Sequence, residues 1–324
     1  MASLTAWRLW MGARKWFMRG WTMFLFDRTY RLVVGEAGKK GLEIAPPFHI
    51  EFSVEKTAKE DPNKCQVKIY NLKPDTRRAL EKPDAFAVLY AGYGENAGAV
   101  VLAAGAVIEC ITAFDGQNVV TALELADGWV ELRDCYVSLG YAAGASAHAV
   151  IRDIARQMGL VLEMADTLPD HVWQHGFSHH GAARIALGKA TAAAGLAWSI
   201  QNQVLRVVKK HGTTPRRAVV LAADSGLVGF PERFAQAATG KAAKGKGEKG
   251  TVEKKRYGWK VKSLLLPQVN PSDVLKLESK QVNGFFRVES VKHSGGFDGG
   301  DWVSEFEVFD LNEPPPAAKQ ANKK

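Results

Sequence analysis

The sequence predicts a mainly β fold with α+β character: two β-barrel domains flanking a small α/β module. Two strand-rich blocks near opposite ends close on the same cadence, Gln66-Val67-Lys68-Ile69-Tyr70-Asn71-Leu72 and Glu305-Phe306-Glu307-Val308-Phe309-Asp310-Leu311. Such alternation marks a strand with one buried face. The stretch between the blocks instead carries apolar residues at helical spacing. Gly, Pro and Asn-Gly punctuate the outer blocks at short intervals, as sandwiches and barrels require.

The first block spans 26–126. Arg31-Leu32-Val33-Val34 opens it, and after Pro46-Pro47 the residues Phe48, Ile50, Phe52 and Val54 alternate with polar neighbours. Asn63 occupies the turn into the strand from Cys65 to Tyr70. Pro74 starts a short helix, a position where its missing N–H costs nothing. Ala85 to Tyr90, Ala99 to Phe114 and Asn118 to Leu125 supply further strands.

The second block, 127–235, holds the α/β module and its connecting strands. Ser146 is the expected N-cap of a helix striped by Ala149, Val150, Ile154 and Met158 and stopped by Gly159. A second helix covers Ala182 to Ala194, and Ala197 to Val208 forms a hairpin turning at Gln201-Asn202. The segment 236–257 is Gly, Ala, Lys and Glu with almost no large apolar residue, which predicts a flexible loop. The last block, 258–312, is a compact four-strand unit with its hairpin at Asn283-Gly284. A proline-rich tail, 313–324, follows.

With 46% hydrophobic and 24% charged residues the chain has ample material for a core. Its net charge of +9 is compatible with nucleic acid nearby, though much of it is local to Lys241, Lys244, Lys246, Lys249, Lys254, Lys255 and Arg256. Cys65, Cys110 and Cys135 are widely spaced in strand-like stretches and read as buried free thiols. Residues 1–25 form an N-terminal arm in which Trp7, Trp10, Trp16 and Trp21 interleave with Arg8, Arg14, Lys15 and Arg19. The charges interrupt any apolar run, so no stable membrane insertion is expected. The arm is either a partner-docking segment or an over-extended start ahead of Met11, Met18 or Met23.

Candidate chemistry is sparse. His171, His175 and His179 recur every fourth residue beside His180 and Asp170, a spacing that suits zinc on a helix. Pro169, Gly176 and Gly181 break any such helix, and His179 and His180 fit better at the start of the next helix with Ser178 as its cap. No Gly-x-Ser-x-Gly elbow or Gly-x4-Gly-Lys-Ser/Thr loop occurs. Asp153, Glu163 and Asp166 read as surface carboxylates, and Trp173, Trp198, Trp259 and Trp302 as packing residues rather than base-stacking platforms. No catalytic, cofactor-binding or metal-binding residue is assigned.

The ordered set Phe26-Asp27-Arg28-x-Tyr30-Arg31-Leu32, Ile50-x-Phe52-x-Val54-x-Lys56, Ile69-Tyr70-Asn71-Leu72, Pro271-Ser272-Asp273 and Gly284-Phe285-Phe286-Arg287-Val288 resembles the baseplate hub proteins of contractile-tailed bacteriophages. The resemblance covers about Phe26 to Leu311 and implies that both barrels are tail-tube-like. It implies a non-enzymatic homotrimeric ring joining a hexameric tail tube, or tail-tip protein, to a trimeric spike. Other baseplate proteins and DNA in the channel would be further partners. The chain would be made in the host cytoplasm and reside in the virion tail. The N-terminal arm and the Lys-rich loop depart from the family pattern. Two rival readings are a nucleic-acid-binding module using the Lys-rich loop, and a tail-associated hydrolase with a histidine-built metal site. A spike-complex component of a secretion system is a third reading within the structural class.

Overall fold

The computed structural model describes residues 27–36, 39, 41–82, 85–94, 98–216, 218–237 and 255–311. The N-terminal arm, most of the Lys-rich loop and the tail lie outside the described residues.

The protein is mainly β. The first unit comprises β1 (Arg28–Gly35), β2 (Leu42–Ile44), β3 (Ile50–Thr57), β4 (Lys64–Tyr70), α1 (Pro74–Leu80), β5 (Phe86–Tyr93), β6 (Gly98–Asp115) and β7 (Asn118–Ala126). A middle module follows with α2 (Trp129–Asp134), β8 (Tyr136–Tyr141), β9 (Ala145–Ser146), α3 (Ala147–Gln157), β10 (Val161–Met164), β11 (Val172–Trp173), β12 (Phe177–Ala182), α4 (Ala183–Ala193), β13 (Leu196–Gln201) and β14 (Val204–Lys209). The last unit comprises β15 (Val219–Ala222), β16 (Leu227–Ala237), β17 (Lys255–Leu264), β18 (Val274–Glu278), β19 (Asn283–Gly296) and β20 (Trp302–Asp310).

Both outer units belong to one sheet, whose main path runs β2-β1-β5-β6-β7-β4-β3-β19-β20-β17-β16. No strand pairing among the described residues joins the two ends, so hydrogen bonding leaves the expected barrels open. The first unit nevertheless curls over a single core, because Ile44 of β2 and Ile50 and Val54 of β3 share one apolar cluster. Trp302 and Leu265 of the last unit complete that cluster. A second core fills the middle module and a third lies under β17 to β20.

The strand order shows a duplication. Strands β3 to β7 lie in the spatial order β5-β6-β7-β4-β3. Strands β16 to β20 lie in the order β18-β19-β20-β17-β16. Both long hairpins carry a bulge at the same place, between Val107 and Glu109 in β6 and between Val288 and Ser290 in β19. The copies differ at the outer strand, where β1 is antiparallel to β5 but β15 is parallel to β18. This order corrects the cadence match. The strand equivalent to β20 is β7, which ends Leu123-Glu124-Leu125-Ala126 and is followed by Asp127, and not β4. Any half-buried strand alternates, so pattern alone paired the wrong two.

Three further expectations change. Strands β15 and β16 pair with β18 and β17, which makes the last unit six-stranded. Asn283-Gly284 starts β19, and the turn is Ser279 to Val282, closed by Val282 N–H donating to the Ser279 hydroxyl at 3.0 Å. In the middle hairpin the turn residues are Asn202 and Gln203, with φ of 53° and 65°. Positive φ at both positions is the geometry that follows the strand twist. Ser146 caps α3 as expected, accepting the Ala149 N–H at 3.4 Å. No described helix is long and apolar enough to cross a membrane.

Candidate assembly edges and a buried polar junction

The two units meet where β19 pairs antiparallel with β3, from Ser290 opposite Thr57 to Gly296 opposite Glu51. Along the same edge of β19, residues Asn283 to Arg287 pair with β18. The equivalent strand β6 pairs with β5 from Gly98 as far as Ala106, and the described residues place no partner beside Glu109 to Asp115 on that edge. Among the described residues strand β16, equivalent to β3, pairs only with β17. The described residues therefore hold one completed seam and, at β6 and β16, two open edges that correspond to its two sides. The unpaired arm is apolar: Ile111 is 51% exposed and Phe114 is 81% exposed. Bare edges with apolar side chains invite strand addition.

Behind the seam lies a buried polar junction that ties all three regions together. Lys56 is in phase with Ile50, Phe52 and Val54, so β3 turns it inward, where it is 1% exposed. Its Nζ donates to Asn202 Oδ1 of the middle module at 3.0 Å and to Asn270 Oδ1 of the last unit at 2.9 Å. Burial lowers its pKa to about 8, opposed by the nearby Asp127 carboxylate. Asp127 accepts the backbone N–H groups of Asn202 at 2.5 Å and Gln203 at 3.0 Å. Burial raises its pKa, against these hydrogen bonds and Lys56. Asn63 Nδ2 donates to the Ile200 carbonyl at 2.7 Å and to Gln201 Oε1 at 3.0 Å. Gln201 Nε2 returns a bond to the Thr57 carbonyl at 2.8 Å.

The junction continues through Arg206, which pairs with Glu163 at 2.9 Å and lies 3.7 Å from Asp273. Nearby His293 of the seam is fully buried, with Nδ1 2.7 Å from Ser304 Oγ. Burial, then Lys56, holds its pKa well below the ordinary imidazole value. A positive side chain in a dry site is stable only when its donors are met. Here amide oxygens from two other regions meet them, so the units cannot separate without exposing an unpaired group.

The histidine run does not converge. His179 and His180 lie on β12, and α4 begins at Ala183 with Ala182 as an uncapped N-cap, so Ser178 caps nothing there. The run is held by pairing of β12 with β8, from Phe177 opposite Tyr141 to Ala182 opposite Tyr136. His171 packs edge-to-face on Trp173, and His179 Nδ1 is 3.4 Å from the Lys189 ammonium, a neighbour that repels a cation. Asp170 accepts the Ser146 hydroxyl at 2.6 Å and the His148 N–H at 3.1 Å, serving the start of α3. No group of described His, Cys, Asp and Glu side chains has the geometry to hold a metal.

The other singled-out residues are structurally occupied. Asp153 accepts the Tyr141 hydroxyl at 2.6 Å, Glu163 pairs with Arg206 and with Arg216 at 3.1 Å, and Asp166 pairs with Arg152. Trp198 and Trp302 are buried, while Trp173 and Trp259 are half-buried against their cores. The three cysteines are free, but only Cys65 is buried, its thiol pushed up to about 12 by burial; Cys110 and Cys135 are half-buried.

No protein-family model matches the sequence, and no curated protein matches it. The fold does have relatives among solved structures. A tail protein from Neisseria meningitidis superposes with a TM-score of 0.59 at 9% identity, covering 87% of this chain and 97% of that one. The 43 kDa tail protein of prophage MuSo2 from Shewanella oneidensis gives 0.56 at 9% identity, covering 87% and 98%. An E. coli component of the type VI secretion system, described as similar to the phage T4 tail proteins gp27 and gp5, gives 0.53 at 10% identity, covering 88% and 79%. The chain shares the fold of these proteins.

Proposed function

We propose that the chain is the structural, non-catalytic hub of a phage tail baseplate. Three copies close into a ring that joins a hexameric tail tube to a trimeric spike and surrounds the DNA channel. The observation that carries this reading is the duplicated topology with its one internal seam. One chain then supplies two tube-like units in the same orientation, and three chains supply six. The second unit takes in 219–237 together with 255–311, and the middle module, 129–209, braces the pair.

Ring closure repeats the seam between copies. The bulges set the register: Glu109 takes the place of Ser290, and Gln236 takes the place of Thr57. Ile111 of one copy then faces Phe234 of the next, a cross-strand apolar pair. Likeness to the secretion-system component favours a spike complex of such a system as the second reading, with the same ring.

The test is mass in solution together with cross-linking. An Ile111→Cys/Phe234→Cys variant, with the natural cysteines replaced by Ser, is expected to give a covalent three-chain species under mild oxidation. A wild-type chain that stays single at high concentration and with spike partner present, and a double variant that forms no link, would exclude the ring.

A further inference from the structure

The open face of the sheet over the seam carries a regular row of charge. Lys262 of β17 lies opposite Glu305 of β20, Glu305 opposite Lys292 of β19, Lys292 opposite Glu55 of β3, and Glu55 opposite Lys64 of β4. The signs alternate across five strands and pass through the seam without a break. Lys292 Nζ is 2.9 Å from Glu55 Oε1 and Lys262 Nζ is 3.4 Å from Glu305 Oε1. On either side of this row two further pairs stand on the same face: Lys260 is 3.5 Å from Glu307, and Lys68 of β4 lies opposite Glu51 of β3. The face is concave, forming a groove of about 650 Å³ whose walls include Glu55 of β3 and Phe230, which lies in the register shift of β16 between Val228 and Glu232.

Exposed pairs of this kind add little stability, because water screens them and ordering the side chains costs entropy. Their effect on a polyanion is larger. Binding to duplex DNA grows with the number of phosphates neutralised by free cations. Here every lysine of the rows already faces a carboxylate on the neighbouring strand. The chain is basic overall, at +9, but this face is not.

We propose that the concave face is a sliding surface for duplex DNA: it borders the DNA path and is balanced so as not to hold the duplex. This rests on the ring reading above. The experiment uses the full chain and a fluorescent duplex of about two helical turns, with affinity measured from low to physiological salt. Removing the carboxylates, Glu55→Gln/Glu305→Gln, is expected to raise affinity about tenfold or more at low salt and to steepen its salt dependence. Removing the lysines, Lys262→Gln/Lys292→Gln, is expected to change affinity by no more than about threefold.

A large loss in the lysine variant would make the face adhesive and overturn the proposal. An unchanged affinity in the carboxylate variant would show that DNA does not reach the face, with the same consequence. Mass is read on the same samples. A three-chain mass with the wrong affinity pattern rejects the sliding surface alone. A one-chain mass with the expected pattern rejects the ring, and with it the DNA path that the proposal needs, while the charge balance of the face remains as measured.

Discussion

Strands β19 and β6 hold equivalent places in two copies of one topology, yet they have been given opposite surfaces. Beyond its bulge β19 presents Lys292, buried His293 and Gly295 to a partner strand in the same chain. Beyond its own bulge β6 carries Ile111, Thr112 and Phe114, which pair with β7 on one side and face no described strand on the other. The internal seam is permanent, so it can be polar, tightly packed and supported by Lys56 behind it. In the proposed ring the open edge has to attract its partner, and apolar side chains do that at the risk of misassembly. On that reading the difference separates what holds one chain together from what would join chains.

Variants at matched positions sharpen this contrast. Asp127, just after β7, and Asp310, the last residue of β20, hold equivalent places, but Asp127 is 5% exposed and accepts bonds from the middle hairpin. Asp127→Ala is expected to cost about 3 kcal/mol, because it strips the buried Lys56 of its nearby carboxylate. Half-buried Asp310→Ala is expected to cost less than about 1 kcal/mol. Urea denaturation of both variants checks the pair, and equal costs would contradict a special role for the junction.

The next effect is at Gly295 and its equivalent, Phe114. A Cβ on Gly295 would lie 2.3 Å from Phe52 Cζ and 2.7 Å from Trp302 Cε3, both in the first core. Gly295→Ala is expected to cost about 1–3 kcal/mol by overpacking. Phe114→Ala is expected to leave single-chain stability within about 0.5 kcal/mol while weakening ring formation. Thermal unfolding of dilute protein, beside mass at high concentration, separates the two effects.

A pH series isolates Lys56. Its folded pKa is about 8 against 10.5 for the free side chain, so the unfolded state binds more protons between these values. Stability from this group therefore rises as pH climbs from about 8 to 10.5, by at most about 3 kcal/mol. Lys56→Met removes that rise, and the difference between wild-type and variant denaturation curves at pH 7.5 and 10 measures it. A parallel pH response in both proteins would place the ammonium in water.

Much of the fold was legible because period-two alternation reports burial directly. The strand from Ile50 to Val54, the cap at Ser146, the stop at Gly159 and the two-unit plan all follow from local rules. What was not legible depends on distant partners. The match between β4 and β20 used a pattern common to half-buried strands, while equivalence is set by pairing order. Asn283-Gly284 has hairpin chemistry, but the Ser279 hydroxyl closes the turn one step earlier. The His179-His180 pair looked like a helix start, whereas pairing with β8 extends it. The junction left one readable trace. Lys56 stands in the apolar file of β3, where a charge signals a buried partner, but Asn202 and Asn270 are 146 and 214 residues away.

Joining both copies of the topology on one backbone also has a genetic consequence. Their ratio is settled at translation, so neither can be over-produced relative to its counterpart. Each can accept mutations that its twin does not share, and a closed particle built from such chains inherits an alternation of two distinct surfaces that identical single-unit subunits could not provide.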